Sequence, residues 1–313
     1  MANILEQAAG GPRGGEELER GPSSRVGLAY ALSAYAIWGF IALYFRALSS
    51  VAPITILYHR IIWSALFLAM VVSVRGEWRS IIPALRSWRH LGLLSAGALL
   101  IALNWLLFIY SVATKQLLQA SLGYFINPLL SIALGMLFLR ERLRGWQWVA
   151  VLIAGGAVLN LAVRGAGFPW LALSLAGSFG FYGLVRKAVD INSLHGLMIE
   201  SAMLFPLAAF MLAAGRPSAV SFPTLGVLSL SGVITAVPLL CFGAALRRLQ
   251  LSTMGFLQYV GPTLQFLVAR CIFREPLDPA KLASFAMCWL AIGVYVGDSW
   301  RSRTAQPVAD EPD

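Results

Sequence analysis

Charge is scarce in this chain, and its scarcity excludes most soluble folds. Only 12% of the 313 residues are Asp, Glu, Lys or Arg, whereas 58% are hydrophobic and the mean hydropathy is +0.74. A soluble domain of this composition would have too few polar side chains to cover its surface. Helices of about 20 apolar residues, each crossing a hydrocarbon core roughly 30 Å thick, account for the composition. The sequence therefore predicts a membrane protein.

Cysteines and the common catalytic motifs are also scarce. The three cysteines, Cys241, Cys271 and Cys288, lie in apolar stretches without paired spacing. This predicts buried thiols, and neither a disulfide framework nor a metal site. The motifs GxxxxGK[ST], HExxH and GxSxG do not occur. We therefore expect no ATP hydrolysis, no cofactor, no bound metal and no enzymatic activity.

Long alternating strands are missing as well, which argues against a large β-barrel. Such a barrel needs alternating strands of about 10 residues, whereas the apolar runs here are continuous. Backbone groups inside a bilayer must pair within their own segment, so the spans are predicted to be helical. The formal net charge is +10, but the basic residues are spread among the loops between apolar runs. That placement indicates membrane topology rather than nucleic-acid binding.

Ten apolar spans are predicted along the chain, with a polar tail at each end. The spans lie at about 27–48, 54–74, 91–113, 117–139, 146–163, 168–186, 195–215, 224–246, 251–273 and 280–300. Residues 1–25 are predicted to form a disordered cytoplasmic tail, and residues 301–313 a second cytoplasmic tail. With the N-terminus inside, 16 Lys and Arg residues fall on the inner side of the membrane and six on the outer side. Both termini are therefore predicted to be cytoplasmic.

The chain is predicted to contain the same unit twice. The stretch ASLGYFINPLLSIALGMLFLRERL has an Asn-Pro pair and ends near an Arg-Glu pair, and the stretch QYVGPTLQFLVARCIFREPL repeats these landmarks. Setting Pro128 on Pro262 also sets Arg140 on Arg274, with one offset of 134 residues. We predict two five-helix repeats, at residues 26–163 and 168–300. Because five is odd, the second repeat enters the membrane from the opposite side, as in transporters with a central path between inverted repeats.

Ionisable residues within the predicted spans need a reason, because charge inside a bilayer is costly. Among them, His59 and Arg60 lie in the second span and Glu200 in the seventh. The functional interpretation makes Arg60 an anion or gate contact, His59 its titratable neighbour, and Glu200 a proton carrier or an inner gate. In the alternative interpretation, Arg60 reaches outward along its helix to the membrane surface. Glu200 would then pair with Arg186 or Lys187 near the cytoplasmic surface.

Polar and aromatic residues within the spans are the other candidates for a substrate path. The Asn127-Pro128 and Gly261-Pro262 breaks could free a carbonyl for a substrate or could be packing kinks. Aromatic pairs in equivalent spans suit moderately apolar substrates, although the same spacing also serves packing alone. Asn104 could bind a ligand or an adjacent helix. These candidates for the path are Tyr35, Trp38, Asn104, Tyr124, Asn127, Pro128, Tyr182, Gln258, Tyr259 and Pro262.

These landmarks together resemble a known family. The ten spans, both Pro-to-Arg-Glu units and the stretches AYAIWGF, LYHRIIWS, NWLLFIYS, FYGLVRK and STMGFLQYVGPT are similar to the RarD branch of the EamA-type transporters. That branch belongs to the drug/metabolite transporter superfamily and is associated with chloramphenicol sensitivity. The resemblance implies a multi-pass protein of the bacterial inner membrane, with two EamA units and a transport role. The second unit departs from the first, with Gly261 in place of Asn127.

We therefore expect an all-α membrane protein of ten transmembrane helices arranged as two inverted five-helix repeats. Its expected function is secondary transport of small organic molecules, either metabolites or amphiphilic drugs such as chloramphenicol-like compounds. We expect export by alternating access, with proton coupling through Glu200. A non-transporting membrane sensor or channel is the first alternative, and an intramembrane enzyme is the second.

The expected partners are a small-molecule substrate and membrane lipid, without nucleic acid. Ala150 and Ala154 in the fifth span, and Gly293 and Gly297 in the tenth, permit close helix packing. These two spans are expected either to face each other or to face a second copy of the chain in a homodimer.

Overall fold

The computed structural model describes residues 22–48, 50–113, 117–163, 170–215, 221–272 and 279–304, and this part of the chain contains helices and no strand. The helices are α1 Pro22–Ala47, α2 Pro53–Val74, α3 Trp78–Arg86, α4 Trp88–Ala113, α5 Leu117–Leu139, α6 Gly145–Val163, α7 Trp170–Ala188, α8 Ser193–Ala214, α9 Phe222–Ser229, α10 Ser231–Leu246, α11 Leu251–Gln258, α12 Val260–Leu267 and α13 Pro279–Thr304. A π-helical segment, Val268–Ile272, follows α12. The expectation of an all-helical protein is confirmed.

Every predicted span coincides with one helix or with consecutive helices. The eighth span corresponds to α9 and α10, and the ninth to α11, α12 and the π-helical segment. Among the described residues, six helical stretches are long and apolar enough to cross a membrane. They are Ser24–Phe45, Pro53–Val74, Trp88–Phe108, Ser193–Ala214, Phe222–Leu246 and Leu282–Arg301. Gly123–Leu139 and Gly145–Asn160 are shorter apolar helices.

The two predicted proline breaks differ in the structure. Helix α5 runs without interruption through Pro128, so this proline does not end a helix. At the second site α11 ends at Gln258, and α12 begins at Val260 after a turn at Tyr259. Pro262 has no N–H to donate to the carbonyl of residue 258, and its ring crowds that carbonyl. This explains a helix boundary at the second site, whereas neighbouring helices hold α5 together at the first.

Helix contacts between the two halves of the chain come in equivalent pairs. The contact of α5 with α7 corresponds to that of α12 with α1, and the contact of α4 with α7 corresponds to that of α10 with α1. In the same way, the contact of α4 with α8 corresponds to that of α10 with α2. Three further contacts join helices that the predicted repeat makes counterparts, namely α2 with α8, α5 with α11 and α6 with α13. Almost every helix thus packs against a helix of the other half of the chain.

Glu141 joins the two halves at the end of α5. Arg140 has a positive φ of 54°, which ends the helix and turns the chain. The Glu141 carboxylate then accepts hydrogen bonds from the backbone N–H groups of Leu251 at 2.7 Å and Ser252 at 2.8 Å. These N–H groups are the unpaired donors at the start of α11, where the helix dipole also favours a negative charge. Glu141 therefore caps a helix of the other half.

The loop between α2 and α3 is fixed to the first turn of α8. One oxygen of Glu77 accepts a hydrogen bond from Arg75 Nε at 2.5 Å, and the other lies 2.7 Å from His195 Nε2. The hydrogen bond with His195, followed by that from Arg75, lowers the pKa of the Glu77 carboxyl. These bonds therefore hold the end of α2 against α8.

Helices α6 and α13 pack against each other through small side chains. Ala150 and Ala154 of α6 are fully buried at this contact. Asn160 Nδ2 donates to Ser284 Oγ at 2.9 Å across the same contact. The glycines of α13 named above are instead exposed, and added methyl groups there would meet no atom within 4 Å. Of the two expected uses of the small residues, the alanines serve the contact within the chain.

The expectation of three buried thiols is correct for Cys288 alone. Cys288 is buried at the contact between α6 and α13, Cys241 is half-buried, and Cys271 is exposed. Cys271 lies on the π-helical segment, and its exposure suits a side chain that faces lipid, where an apolar residue needs no burial in protein. Apolar sequence context therefore does not distinguish burial in the protein from contact with the membrane.

Candidate functional site

A cavity of about 250 Å³ lies between helices of both halves. Its walls come from α1, α2, α4 and α5 of the first half and from α7, α10, α11 and α12 of the second. Eight of the candidates that the sequence indicated line it: Tyr35, Trp38, Arg60, Asn104, Tyr124, Asn127, Gln258 and Pro262. The cavity is therefore the place where these predicted residues meet.

Arg60 supplies the positive charge of the cavity wall. Its Nε donates a hydrogen bond to Thr235 Oγ1 at 3.0 Å. The guanidinium carbon lies 4.8 Å from the ring centre of Trp105 and 5.6 Å from that of Phe45, within the range of cation–π attraction. None of the acidic residues that the structure describes forms an ion pair with Arg60. These contacts hold the Arg60 side chain at the cavity wall.

Amide side chains provide two different kinds of contact around the cavity. Asn104 Nδ2 donates to Leu175 O at 2.9 Å and to Ser178 Oγ at 3.0 Å, which links α4 to α7. Asn127 is 3% exposed, and its Oδ1 accepts no hydrogen bond from any residue that the structure describes. Asn127 thus offers a buried polar group to a ligand, whereas the nitrogen of Asn104 is already used between helices.

An aromatic layer continues from one wall of the cavity. It consists of Tyr35, Trp38, Phe179, Tyr182 and Phe242. The Trp38 ring lies 5.7 Å from that of Phe179 and 5.8 Å from that of Phe242. The rings of Tyr182 and Phe242 stack at 6.2 Å with an angle of 11° between their planes. Only the first three residues of the layer line the cavity, so the layer extends away from it.

Glu200 lies beyond the aromatic layer and outside the cavity. Its carboxylate accepts a hydrogen bond from the Tyr182 hydroxyl at 3.2 Å and pairs with Arg186 Nη1 at 3.4 Å. Arg186 Nη2 donates to Ser193 O at 3.2 Å. The pair between Glu200 and Arg186 was one of the two alternatives for this residue. Both charges are buried, so each depends on the other for compensation.

Three glycines from different helices make room for this charge pair. A methyl group on Gly97 of α4 would lie 2.7 Å from a carboxylate oxygen of Glu200. One on Gly196 of α8 would overlap Arg186, and one on Gly243 of α10 would lie 3.0 Å from Nη2 of the same arginine. The pair is therefore enclosed on three sides by helices that can approach closely only without side chains.

The remaining sequence candidates lie elsewhere. His59 is buried on α2 but does not line the cavity, although it is next to Arg60. Pro128 is buried where α5 crosses α11, and a methyl group on Gly255 would lie 2.6 Å from its carbonyl oxygen. The Tyr259 hydroxyl donates to Phe125 O at 3.4 Å. These residues contribute to the packing around the cavity, as Tyr182 does through the aromatic layer.

Several wall residues are absent from the sequence prediction. Trp105, Phe179 and Thr235 contact Arg60 or Trp38 and line the cavity. Sequence signals for two of them exist, since Trp105 follows Asn104 and Phe179 lies three residues, about one helical turn, before Tyr182. Thr235 offers a weaker signal as a hydroxyl in an otherwise apolar span. Among the described residues, no group of His, Cys, Asp and Glu could hold a metal ion.

Comparison with known proteins identifies the family of this chain. The EamA-like transporter family matches residues 25–162. Protein RarD of Salmonella typhi is 44% identical over 282 residues, which cover 88% of this chain and 96% of that protein. The chloramphenicol-sensitive protein RarD of Pseudomonas aeruginosa is 29% identical over 290 residues, covering 89% and 96% of the two chains.

A solved crystal structure shares the fold. It aligns with a TM-score of 0.68 and 18% sequence identity, and covers 88% of this chain and 98% of its own. At 18% sequence identity this likeness shows the fold alone. The family assignment depends on the relatives that are similar in sequence. The chain therefore belongs to the EamA-like transporter family, in the RarD branch of the drug/metabolite transporter superfamily, and is a multi-pass membrane transporter.

Proposed function

We propose that the chain is a secondary transporter of small organic molecules in the bacterial inner membrane, working by alternating access. The observation that carries the proposal is the cavity, because helices of both halves line it and eight predicted path residues meet there. In transporters built from inverted repeats, the substrate binds near the midplane at the interface of the repeats. A cavity shared by the two halves can open to either side when one half moves against the other.

The proposed architecture is two inverted five-helix repeats, at residues 26–163 and 168–300, with both termini in the cytoplasm. The paired helix contacts between the halves support it. So does the contact between Phe125 and Tyr259, which differ by the repeat offset of 134. Equivalent residues touch each other where a two-fold axis passes between them. Their rings lie 6.5 Å apart, close to the crossing of α5 and α11.

We propose that the cavity faces the outside in the conformation described here. Its walls come from the second half of α1 and the first halves of α2 and α5. The predicted topology assigns these parts of the helices to the outer side of the membrane. Toward the cytoplasm, the aromatic layer and the buried pair of Glu200 and Arg186 fill the bundle. Export then requires a second conformation in which this inner region opens.

The cavity suits small organic molecules with an apolar body. Its volume of about 250 Å³ lies slightly below the range of roughly 300–1,000 Å³ that is typical of ligand pockets. Trp38, Phe108 and Phe179 give it aromatic walls. These dimensions favour metabolites, and amphiphilic drugs of the chloramphenicol type would need the cavity to widen. The name of the Pseudomonas relative connects that protein to chloramphenicol.

We propose that Glu200 couples transport to protons, without an enzymatic step. It is a buried carboxylate on α8, with a hydroxyl and a guanidinium as neighbours. Protonation would break the attraction to Arg186 and leave that charge uncompensated, which would favour an opening that admits water. The Tyr182 hydroxyl connects this group to the aromatic layer and so to the cavity wall.

Counterflow in proteoliposomes tests the proposed function most directly. Purified protein is reconstituted into liposomes, which are loaded with an excess of a candidate substrate and then diluted into a trace of the labelled compound. A carrier accumulates the label transiently, because exchange through one alternating site couples the two fluxes. A channel or a sensor gives no accumulation above equilibrium, and this result for every compound that binds the protein would overturn the proposal.

If the chain forms a homodimer, the exposed face of α13 with Gly293 and Gly297 is the proposed contact. Both glycines leave open space beside the helix, and the neighbouring Leu290 is 58% exposed. Membrane lipid covers this face in the monomer.

A further inference from the structure

We propose that the transported molecule carries one negative charge on a flat apolar body, and that Arg60 binds this charge. The inference rests on the proposed function, since it assigns the substrate class of the same cavity. Four observations support it: the charge of the cavity wall, the free donors of Arg60, the unpaired amide of Asn127, and the aromatic walls.

The cavity wall has an unbalanced charge. Among the described residues that line it, Arg60 is the one charged side chain, and no acid accompanies it. Glu200 does not balance it, because that carboxylate pairs with Arg186 outside the cavity. A neutral substrate that displaced water from the cavity would leave the guanidinium buried without a counter-charge, which is strongly unfavourable. A cationic substrate would add repulsion, whereas an anion compensates the charge.

The geometry of Arg60 leaves the end of its guanidinium free. Its Nε is engaged by Thr235, and the plane is held near Trp105 and Phe45. Neither terminal amino group donates a hydrogen bond to a residue that the structure describes. Two parallel N–H donors of this kind match the two oxygens of a carboxylate. Thr235 thus fixes the Arg60 side chain through Nε, which leaves both terminal amino groups to bind a carboxylate.

Asn127 gives independent evidence that a ligand belongs in the cavity. A buried polar atom without a partner is costly, and native structures retain few of them. The Asn127 amide is such a group, and it lines the same cavity as Arg60. A polar substituent on the substrate would pair it. Tyr124 and Gln258 line the cavity as well and offer further hydrogen-bonding groups.

The other walls favour an unsaturated or aromatic body. Trp38, Trp105, Phe108 and Phe179 all line the cavity. Ring faces and edges pack well against flat groups and contribute beyond the area that they bury. A single arginine also matches one charge, because a dianion would keep an uncompensated charge in the same site. The inferred class is therefore an aromatic or similarly flat organic monoanion.

Binding measurements with a matched set of probes test the inference. Phenylacetate, its neutral amide phenylacetamide, and the cation phenethylammonium differ mainly in charge. We would measure their binding to the full chain in lipid nanodiscs at neutral pH by titration calorimetry. We expect phenylacetate to bind at least about tenfold more tightly than phenylacetamide, the value of a hydrogen bond to a charged group, with the amine weakest. Equal binding of acid and amide, or no measurable binding of the acid, would contradict the inference.

Variants of Arg60 test whether this residue causes the preference for the acid over the amide. Arg60→Met keeps the length of the side chain and should remove the preference for the acid, and Arg60→Lys should retain part of it. Arg248→Met is the matched control, because Arg248 also lies over an aromatic ring, that of Tyr30 at 5.4 Å, but outside the cavity. It should keep the full preference. If Arg60→Met binds the acid as well as the unmodified chain does, Arg60 is not the anion site. If the variant does not fold, the comparison of probes on the unmodified chain still decides.

The two proposals fail in different ways. Preferential binding of the acid without counterflow would overturn the transporter proposal and leave the anion site intact. Counterflow of neutral compounds, with no preference for the acid in binding, would overturn the anion site and leave the transporter proposal intact.

Discussion

At the residue scale, the rotation of α2 about its axis decides which of its polar side chains lines the cavity. His59 and Arg60 are adjacent polar residues in one span, yet only Arg60 lines the cavity. Successive residues on a helix point about 100° apart, so rotation of α2 decides which of them enters. That rotation depends on packing against α8 and α10, which no local pattern in the sequence encodes. The tertiary structure is therefore needed to tell which of these two residues lines the cavity.

Glu200 illustrates the same limit and yields a prediction at this scale. Glu200→Gln keeps hydrogen-bonding atoms beside Tyr182 and Arg186 but removes the charge. If Glu200 carries the coupled proton, a pH gradient should no longer drive transport by the variant, whereas counterflow, which needs no net proton movement, should persist. The measurement compares gradient-driven uptake and counterflow in the same proteoliposomes.

Glu77→Gln is the matched control for this experiment. Glu77 is also a carboxylate paired with an arginine, Arg75, but it lies in the loop between α2 and α3. Its variant should keep full gradient-driven transport. Full gradient-driven transport by Glu200→Gln would discard proton coupling through this residue, and an equal loss in both variants would show a general effect of removing an acid.

At the element scale, the positions of the helices are predictable from the sequence, whereas the ends of the helices and the breaks within them are less predictable. Apolar runs of about 20 residues specify the spans, and helices occur at all of them. The proline motif predicts a break in both repeats, but only the second site has a helix boundary, at Tyr259. In α5 the close crossing with α11, at Pro128 and Gly255, holds the chain in helical form. Tertiary packing therefore overrides the local effect of one proline and not of the other.

Glu141 provides the prediction at the scale of the element. The carboxylate of Glu141 caps α11 of the other half. Glu141→Ala should destabilise the protein by about 1–2 kcal/mol, the usual cost of a lost helix cap. The thermal unfolding midpoint in detergent should fall accordingly. Glu141→Gln should lose less, because one amide oxygen can still accept a hydrogen bond.

The exposed residue Arg142 is the control for the cap. Arg142→Gln changes one charge in the same loop and should leave the unfolding midpoint unchanged within about 0.5 kcal/mol, as surface substitutions usually do. A midpoint for Glu141→Ala equal to that of the unmodified chain would show that the cap adds no stability between the halves.

At the scale of the whole molecule, the repeat offset and the family resemblance predicted more than composition alone. The offset of 134 residues brings Pro128 onto Pro262, and in the folded chain Pro128 lies where α5 crosses α11, the helix that ends just before Pro262. The cavity beside this crossing contains most of the predicted path. The aromatic layer as a whole is not predicted from the sequence, because it depends on contacts among Trp38, Phe242 and Tyr182 from three different helices.

The most direct test of the central claim is access to the cavity from the two sides of the membrane. Ile41 lines the cavity and is half-buried, so Ile41→Cys in a chain without native cysteines reports its opening to a charged, membrane-impermeant maleimide. Leu152→Cys on α6 is the control, because Leu152 is 71% exposed on an apolar helix and should stay unlabelled in lipid. We predict labelling of Ile41→Cys from outside at rest, and from the cytoplasmic side as well during substrate exchange. Labelling from one side alone throughout exchange, or from neither side, would contradict it.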